Sequence, residues 1–379
     1  MSKKSKRLLY FVSEDWYFCT HRLPLAKAAL AAGYEVFLIT CVSYCQEQIE
    51  EAGIKLIPLH HFNRSSGNLK TEFLIFKELN QIYKNISPDL VHHVAMKPVI
   101  YGSLIAWLNK IPRIINAFGG LGHLFTHPNL KTQVLREGIQ IILKILLNRP
   151  TSTLILQNED DAKLLLDRQV IKKDHLVIIK GVGVNTQIFS FQEESKIDEK
   201  KGPIISFVSR MLKDKGILEL IEAIRILRSQ QLKAQFHFWG DIDPLNPSSI
   251  TCHDLNNWQK EGLITWHGPT KEVASVYHKS HLIVLPSYRE GLPKTLLEAA
   301  SCGRAIITTD VPGCREIIQN KKNGLLVPAR NYEALAEALQ ELITNPSLRK
   351  KMGKQGRQMI ECHFLEETII QQTLQLYLF

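Results

Sequence analysis

The sequence has no continuous apolar run of about 18 residues, the length that a membrane-spanning helix requires. Its seven cysteines form no Cys-x-x-Cys pair and no zinc-binding spacing with histidine, and their number is odd. The apolar stretch Leu8–Val12 after the basic start is too short for a signal peptide and predicts a first β-strand. These absences argue against a membrane-spanning chain, a zinc module and a disulfide scaffold, and they favour a reducing, cytoplasmic compartment.

Acidic residues are also scarce, since 37 Asp and Glu stand against 47 Lys and Arg, for a net charge of +10. Most of the excess, +8, falls in residues 1–180, so we expect an anionic partner for that half. No nucleic-acid-binding motif accompanies the charge, which favours an anionic membrane surface or a phosphorylated lipid over nucleic acid. A basic face that meets only solvent is the alternative.

Fingerprints of metal and dinucleotide sites are missing as well. Asp241-Ile-Asp243 has the letters of a metal motif, but it precedes Pro244 and predicts a turn. The run Gly119-Gly120-Leu-Gly122 lacks the spacing of a dinucleotide fingerprint. It predicts either a simple turn or a close approach of the backbone to a substrate.

The chain does have a regular alternation of apolar strands and helices. The alternation breaks in the charged segment 184–202, which ends at the pair Gly202-Pro203, and restarts at Ile204. It predicts an α/β fold with two Rossmann-like domains, whose parallel sheets face each other across a cleft. The predicted parts are a first domain (1–183), a linker (184–202), a second domain (203–360) and a C-terminal helix that packs back on the first domain (361–379).

The strongest chemical signal is a pair of glutamates, Glu290 and Glu298, eight positions apart around Gly291-Leu292-Pro293. Pro293 suits the first position of a helix, which places Glu290 before the helix and Glu298 in its second turn. The N–H groups at the start of a helix bind anions. The segment therefore offers carboxylates for sugar hydroxyls and amides for phosphate oxygens. The alternative is that Glu290 is a plain helix cap and Glu298 a charge on the helix surface.

Two cations form the second signal, because Arg210 and Lys215 follow the predicted strand Ile204–Ser209. Ligands of open α/β sheets bind outside the carboxyl ends of the strands. Two cations at that edge would hold a diphosphate and stabilise its charge as it leaves. The alternative is a pair of solvated loop charges.

Together these segments resemble the family 4 retaining glycosyltransferases of the GT-B fold, and the resemblance spans nearly the whole chain. It is most specific in the second half, where the Glu-x7-Glu pattern is the family hallmark. Four other segments carry it there: Ser209–Gly216, Ala300–Gly303, Val311–Gly313 and Asn323–Val327.

The resemblance implies roles for these residues. Arg210 and Lys215 would hold the donor diphosphate, Glu290 would contact the donor sugar, and Glu298 would bind the ribose hydroxyls. It also implies metal-independent chemistry without a cofactor. The donor-binding set predicted in this way is Arg210, Lys215, Gly240, Glu290, Gly291, Leu292, Pro293 and Glu298.

The first half is similar to one branch of that family, the bacterial enzymes that build O-antigen, capsule or protein-glycan chains on undecaprenyl diphosphate. The likeness is nearest to the type that adds GalNAc to bacillosamine-diphospho-undecaprenol. Three segments carry this similarity: Trp16–Pro24, His92–Pro98 and Phe118–Gly122. This branch implies a UDP-sugar donor, such as UDP-GalNAc or UDP-GlcNAc, and a lipid-diphosphate saccharide as acceptor.

Many family members place a histidine near the reacting sugar, after the fourth strand. Here His92 and His93 are adjacent, and the family position falls one residue later, at Val94. Side chains alternate along a strand, so only one of the pair can face the cleft, and we predict His93. The predicted catalytic set is His93, Arg210, Lys215 and Glu290.

The loop Ser13–Arg22 follows the first strand and faces the predicted cleft from the acceptor side. Asp15 or Glu14 would contact an acceptor hydroxyl and Arg22 the acceptor phosphate, while an ordinary helix cap is the alternative. The predicted acceptor-binding set is Asp15, His21, Arg22, Lys97 and Gly119.

Residues 132–147 have apolar positions at helical spacing with basic residues nearby. They predict either a basic amphipathic helix on an anionic membrane or a buried core helix. The sequence as a whole predicts a cytoplasmic, membrane-peripheral retaining glycosyltransferase that moves a hexose or N-acetylhexosamine. A nucleotide-sugar epimerase on the same fold, or a non-catalytic polyanion-binding protein, is the alternative.

Overall fold

The computed structural model describes residues 5–62, 68–121, 130–244 and 246–378, and the side chains of residues 69 and 130–135 lie outside this description. The chain divides into two compact units. The first unit comprises residues 1–182 and 368–379, and the second comprises residues 183–367.

In the first unit, the described strands form one parallel seven-stranded sheet in the order β3-β2-β1-β4-β5-β6-β7. The strands are β1 (Arg7–Glu14), β2 (Glu35–Cys41), β3 (Lys55–Pro58), β4 (Leu90–Val94), β5 (Arg113–Ala117), β6 (Ser152–Leu156) and β7 (Leu176–Ile178). The helices between them are α1 (Asp15–His21), α2 (Leu23–Ala31), α3 (Gln46–Glu51), α4 (Leu69–Ile86), α5 (Met96–Leu108), α6 (Leu130–Leu147) and α7 (Glu159–Asp167).

Strand β1 shows why this sheet carries helices on both faces. Residues 8–12 are apolar without interruption and buried, and their side chains alternate between two cores. Leu8, Tyr10 and Val12 belong to one core, and Leu9 and Phe11 to the other. The strand order reverses between β1 and β4, which makes their carboxyl ends the switch point where open sheets bind ligands.

In the second unit, six described strands form a parallel sheet in the order β10-β9-β8-β11-β12-β13. The strands are β8 (Ile204–Val208), β9 (Gln235–Trp239), β10 (Thr265–Trp266), β11 (Leu282–Leu285), β12 (Ala305–Thr309) and β13 (Leu325–Val327). The helices are α8 (Ile217–Ser229), α9 (Cys252–Lys260), α10 (Val273–Lys279), α11 (Lys294–Ser301), α12 (Cys314–Ile317), α13 (Tyr332–Thr344) and α14 (Pro346–His363).

The two parallel sheets confirm the predicted α/β class. The segment 184–202 differs from its prediction as a linker, because it belongs to the second unit. Glu194 in this segment is paired with the buried Arg349 of α14, with a closest N–O distance of 3.0 Å. An ion pair of this kind, with both side chains almost fully buried, fixes the segment to its own unit.

The last helix, α15 (Glu366–Gln375), begins in the second unit and continues into the first, to which residues 368–379 belong. Tyr377 after the helix is fully buried beside Tyr10 of β1. Arg113 of β5 also donates a hydrogen bond to the carbonyl of Leu376, at 3.1 Å. The C-terminal residues are therefore part of the core of the first unit.

Candidate functional site

The second unit brings three polar side chains together where β8 and β11, which are neighbours in the sheet, end. Lys215 Nζ lies 2.5 Å from Glu290 Oε1, and the Ser287 hydroxyl donates to the same oxygen at 2.7 Å. About one fifth of the Lys215 side chain and one eighth of the Glu290 side chain stay exposed. Among the described residues nothing is bonded to the second oxygen, Oε2 of Glu290. The group is thus a partly accessible ion pair with spare acceptor capacity.

Two glycines allow the chain to bring these groups together. Gly216, directly after Lys215, has φ +74°, and a Cβ there would lie 2.0 Å from the carbonyl oxygen of Pro286. Gly240, from the predicted donor set, has φ +138°, and a Cβ there would lie 1.9 Å from the carbonyl oxygen of Ser209. Only glycine fits such contacts between backbones, so the loops after β8, β9 and β11 meet without side chains between them.

Arg210 lies at the same edge but turns to another partner. Its Nη1 atom is 2.9 Å from Asp243 Oδ2, and 44% of its side chain is exposed. An exposed ion pair contributes at most about 1 kcal/mol, so an incoming anion can compete for this guanidinium. The predicted Asp241–Asp243 turn therefore supplies a counter-ion for Arg210. In the described parts of the chain, no three His, Cys, Asp or Glu side chains are grouped as a metal site.

Glu298 lies in the second turn of α11, as predicted, and is 7% exposed. Its Oε1 atom is 3.3 Å from Lys294 Nζ, and its Oε2 atom accepts a hydrogen bond of 3.0 Å from the Tyr277 hydroxyl. Burial raises the pKa of Glu298 above its ordinary value, and the contacts with Lys294 and Tyr277 oppose that shift only in part. Each oxygen of this carboxylate therefore already has one partner.

The segment between the two glutamates is a tight loop that leads into α11. Gly291, Leu292 and Pro293 are all buried. Pro293 caps the helix with extended backbone, and the helix begins at Lys294, one residue later than predicted. Helix starts carry a partial positive charge, so this loop places both that charge and Glu290 at the carboxyl end of β11.

In the first unit the two histidines of β4 point to opposite faces of the sheet, as the alternation predicts, but the prediction that His93 faces a ligand site is wrong. His93 is fully buried, and both ring nitrogens are bonded, Nε2 to the Tyr83 hydroxyl at 2.9 Å and Nδ1 to Asn116 Oδ1 at 2.8 Å. Burial lowers the pKa of His93 to about 4. A neutral, saturated histidine inside a core is structural.

Asp15 is also placed differently from its prediction as an acceptor-binding residue. It is fully buried and accepts hydrogen bonds from the backbone N–H groups of Trp16, Ser43, Tyr44 and Cys45, at 2.7 to 3.0 Å, and from the Ser43 hydroxyl. Burial alone would raise its pKa, but these bonds outweigh burial and hold the pKa below its usual value. The carboxylate joins α1 to the loop after β2 and has no exposed atom for a substrate.

The other predicted acceptor residues lie near the carboxyl ends of β1, β4 and β5. His21 stacks on the Tyr17 ring at 4.1 Å, and a Cβ at Gly119 would lie 2.7 Å from the Tyr17 hydroxyl oxygen. Lys97, in the first turn of α5, is 3.7 Å from Glu72. Arg22 precedes α2 and is buried. The neighbouring Gly122 lies outside the described residues.

Two family models match the chain. One described as glycosyl transferases group 1 matches residues 189–359, and one described as glycosyl transferase 4-like matches residues 7–158. The N,N'-diacetylbacillosaminyl-diphospho-undecaprenol alpha-1,3-N-acetylgalactosaminyltransferase of Campylobacter jejuni is 29% identical over 367 residues, which cover 94% of each chain. The chain belongs to the group 1, family-4-like glycosyltransferases.

Solved structures show the same fold for this glycosyltransferase. Sucrose-phosphate synthase from Thermosynechococcus elongatus matches with a TM-score of 0.77 and 20% identity over 98% of both chains. HepE from Anabaena, in complex with UDP-glucose, matches with a TM-score of 0.75 and 14% identity, over 97% of this chain and 98% of that one. The fold is GT-B, as the sequence resemblance implied.

The sequence did not predict two hydrogen-bond partners of the paired glutamates in the glycosyltransferase's second unit. Ser287, which bonds to Glu290, lies three residues before it, and this i, i+3 spacing of a hydroxyl and a carboxylate was an available signal. Tyr277, which bonds to Glu298, lies 21 residues before it on α10. Nothing in the local pattern indicates that contact, because it depends on how α10 packs on α11.

Proposed function

We propose that this glycosyltransferase moves a hexose or N-acetylhexosamine from a UDP-sugar to a saccharide on a lipid diphosphate, with retention of anomeric configuration. The acceptor class is supported by the name of the Campylobacter relative, whose acceptor is a diphospho-undecaprenol saccharide. The donor class is supported by the UDP-glucose complex of the structural neighbour. The expected setting is the assembly of a bacterial surface polysaccharide or glycan.

The observation that carries the proposal is the contact between Lys215, Glu290 and Ser287 at the switch point of the second sheet. A diphosphate placed there would take Lys215 as its counter-ion and meet the start of α11. Glu290 would then be released from Lys215, while Ser287 still holds its Oε1 atom. Its two oxygens are suited to accept hydrogen bonds from hydroxyl groups of the donor sugar.

The chemistry requires that negative charge be stabilised as it builds on the departing phosphate. Lys215, Arg210 and the dipole of α11 would supply that stabilisation, with Arg210 leaving its weak pair with Asp243. Since His93 is buried, the first unit supplies no histidine base at that position. A same-face displacement, in which the departing phosphate oxygen takes the acceptor's proton, fits retention and needs no separate nucleophile.

The proposal assigns to these two cations the charge neutralisation that a metal ion provides in other transferases. We therefore expect turnover to continue when EDTA is present in excess. Loss of activity in EDTA, followed by recovery with one divalent metal, would contradict this part of the proposal.

A membrane surface is the proposed location, since the acceptor carries a lipid. Helix α6 splits into two faces: Leu143 and Leu147 are buried, whereas Ile141 and Ile145 are 61% and 57% exposed. Nearby, the Arg149 guanidinium lies 3.9 Å from the centre of the Trp107 ring, which is itself 45% exposed. Exposed isoleucines with an interfacial tryptophan and basic side chains suit an anionic bilayer. No described helix is long and apolar enough to cross a membrane.

The function is tested by incubating the full chain with a panel of radiolabelled UDP-sugars and short-chain lipid-diphosphate saccharides. The expected result is product from at least one pair, with the α configuration of the donor kept in the new bond. Turnover of a UDP-sugar without acceptor would favour an epimerase. Salt-sensitive DNA binding without UDP affinity would favour a polyanion-binding protein.

The membrane face is tested by sedimentation with vesicles of phosphatidylglycerol and phosphatidylcholine. Ile141→Asp with Ile145→Asp is expected to reduce binding at least about tenfold, since each removes apolar contact and adds a repelled charge. Leu218→Asp is the matched control, because Leu218 is a 41% exposed apolar residue on α8 of the second unit. Equal binding of all variants would contradict this location.

A further inference from the structure

A buried polar cluster in the first unit joins β1, β4 and the C-terminal residues. The Tyr10 and Tyr377 hydroxyls are 2.9 Å apart, and the Tyr377 hydroxyl is 2.5 Å from His92 Nδ1. All three side chains are at most 1% exposed. The other ring nitrogen of His92, Nε2, is buried and has no partner among the described residues.

Counting hydrogens assigns the proton on His92. If Tyr10 donates to Tyr377 and Tyr377 donates to His92 Nδ1, both hydroxyl hydrogens are used and the ring carries its proton on Nε2. In the reverse order, two buried groups would lack partners instead of one: the hydroxyl hydrogen of Tyr10 would have no acceptor, and His92 Nε2 would be an acceptor without a donor. The first order is therefore favoured, and it makes His92 Nε2–H a buried donor that lacks an acceptor.

Arg22 presents a second donor of this kind. The residue is 6% exposed, its Nε atom is buried without a partner, and its Nη1 atom donates only to the neighbouring carbonyl of His21, at 3.2 Å. Within the described residues it forms no ion pair with a carboxylate. A buried guanidinium without a counter-ion is strongly unfavourable, so the site calls for an anion.

Arg22 and His92 belong to one region of the unit. The Arg22 N–H group bonds to the carbonyl of Phe18, whose ring packs against Tyr10 at 5.5 Å, and the Tyr10 ring stacks on His92 at 5.3 Å. Burial, and then the charge of Arg22, lower the pKa of His92 well below its ordinary value, so the ring stays neutral. Arg22 also precedes the nine-residue helix α2, whose positive end attracts anions.

We propose that Arg22 Nε–H and His92 Nε2–H bind one oxyanion group at the start of α2, and that this group is a phosphate of the acceptor's diphosphate. The identity of the anion rests on the proposed function, whereas the site itself rests on the two donors. A water molecule would satisfy both N–H groups but would leave the charge of Arg22 uncompensated. Tyr377 is then a positioning residue, since its hydroxyl keeps the His92 proton on Nε2.

The test uses the full chain saturated with UDP, so that the predicted donor site is filled, and titrates it with inorganic pyrophosphate in a calorimeter. Wild type is expected to bind, and Arg22→Gln is expected to weaken binding at least about tenfold, the effect of one charge-assisted hydrogen bond. Arg22→Lys, which keeps the charge but loses Nε–H, is expected to lie between them. In spectra of the ¹⁵N-labelled wild type, the Arg22 Nε–H signal is expected to shift during the titration.

Two variants of His92 distinguish the role of Nε2–H as a donor to the anion from the contact of Nδ1 with the Tyr377 hydroxyl. Asn reaches the position of Nδ1 and leaves the Nε2 position empty, whereas a Gln amide nitrogen reaches the Nε2 position. His92→Asn is therefore expected to weaken pyrophosphate binding several-fold, and His92→Gln to bind nearly as wild type. Thermal unfolding of each variant without pyrophosphate shows whether it is folded.

No binding to the UDP-saturated wild type, or equal affinities in wild type and Arg22→Gln with an unmoved Arg22 signal, would overturn the site. If sugar transfer were nevertheless observed, the proposed function would stand and only this inference would fail. If pyrophosphate bound as expected but no UDP-sugar and lipid-diphosphate pair gave product, the site would stand. Its assignment to an acceptor phosphate would then fail together with the proposed function.

Discussion

The carboxyl ends of the two sheets use charged residues in different ways. In the second unit, Lys215 and Glu290 contact each other and remain partly exposed, and Arg210, itself exposed, is paired with Asp243. In the first unit, Asp15 and His93 are fully buried, and every strong bonding position of their side chains is used by the protein. A polar or charged residue near a strand end is thus a candidate for ligand binding where its contacts are accessible and replaceable, or where one of its donors has no partner in the protein.

The largest expected effect is a loss of catalysis when a charge is removed at the carboxyl edge of the second sheet. Lys215→Ala removes a charge that we place on the departing phosphate, so kcat is expected to fall about 10²- to 10³-fold. The free energy of unfolding is expected to change by at most about 1 kcal/mol, because the ion pair with Glu290 is partly exposed. UDP release measured against time gives kcat, and urea denaturation gives the stability.

Lys213→Ala is the matched control for this prediction. Lys213 belongs to the same single turn, 213–215, and its side chain is exposed. Its replacement is expected to leave kcat within about twofold. A similar loss in both variants would mean that the turn, and not the ammonium group of Lys215, matters.

The second prediction concerns the stability of the first unit and not catalysis. Asp15→Asn leaves several buried N–H groups with a poorer acceptor, so the protein is expected to lose about 3 kcal/mol of unfolding free energy. The pKa of Asp15 is lowered in the folded state, so its contribution is present above the unfolded pKa and is lost as the pH falls through the folded pKa. Urea denaturation between pH 2 and 7 should therefore show the variant converging on wild type in acid.

A change of kcat per folded molecule would contradict the structural role of Asp15. We expect kcat to stay within about threefold of wild type under conditions where the variant is folded.

The smallest expected effect concerns Glu298, whose pKa is shifted in the opposite direction. Burial raises the folded pKa of Glu298, so its contribution to stability is present below the unfolded pKa and is lost as the pH rises through the folded pKa. Glu298→Gln is therefore expected to gain stability relative to wild type as the pH rises, by about 1 kcal/mol. If the carboxylate also binds ribose hydroxyls, the KM for the donor rises. A pH-independent difference in stability would contradict the raised pKa.

The sequence predicted what depends on short spacing. The strands predicted at Leu8–Val12 and Ile204–Ser209 are confirmed as β1 and β8, and the placement of Glu290 before α11 and Glu298 in its second turn is also confirmed. The proximity of Lys215 and Glu290 follows from the rule that parallel strands end at one edge, even though 75 residues separate them.

What the sequence did not predict depends on contacts between distant segments. The partners of Asp15 lie about 30 residues away, in the loop after β2, and those of His93 lie on α4 and β5. Whether a strand-end carboxylate faces a ligand or a neighbouring loop is decided by that packing. The segment 184–202 was misjudged for the same reason, because the composition around Glu194 does not show its buried partner Arg349.

The most direct test of the account is a crystal structure of the full chain with UDP. We predict that oxygens of the diphosphate lie within about 3 Å of Lys215 Nζ, and that Glu290 has released that ammonium group. UDP bound elsewhere, or bound while Lys215 keeps its contact with Glu290, would contradict the assignment of this cluster to the donor diphosphate.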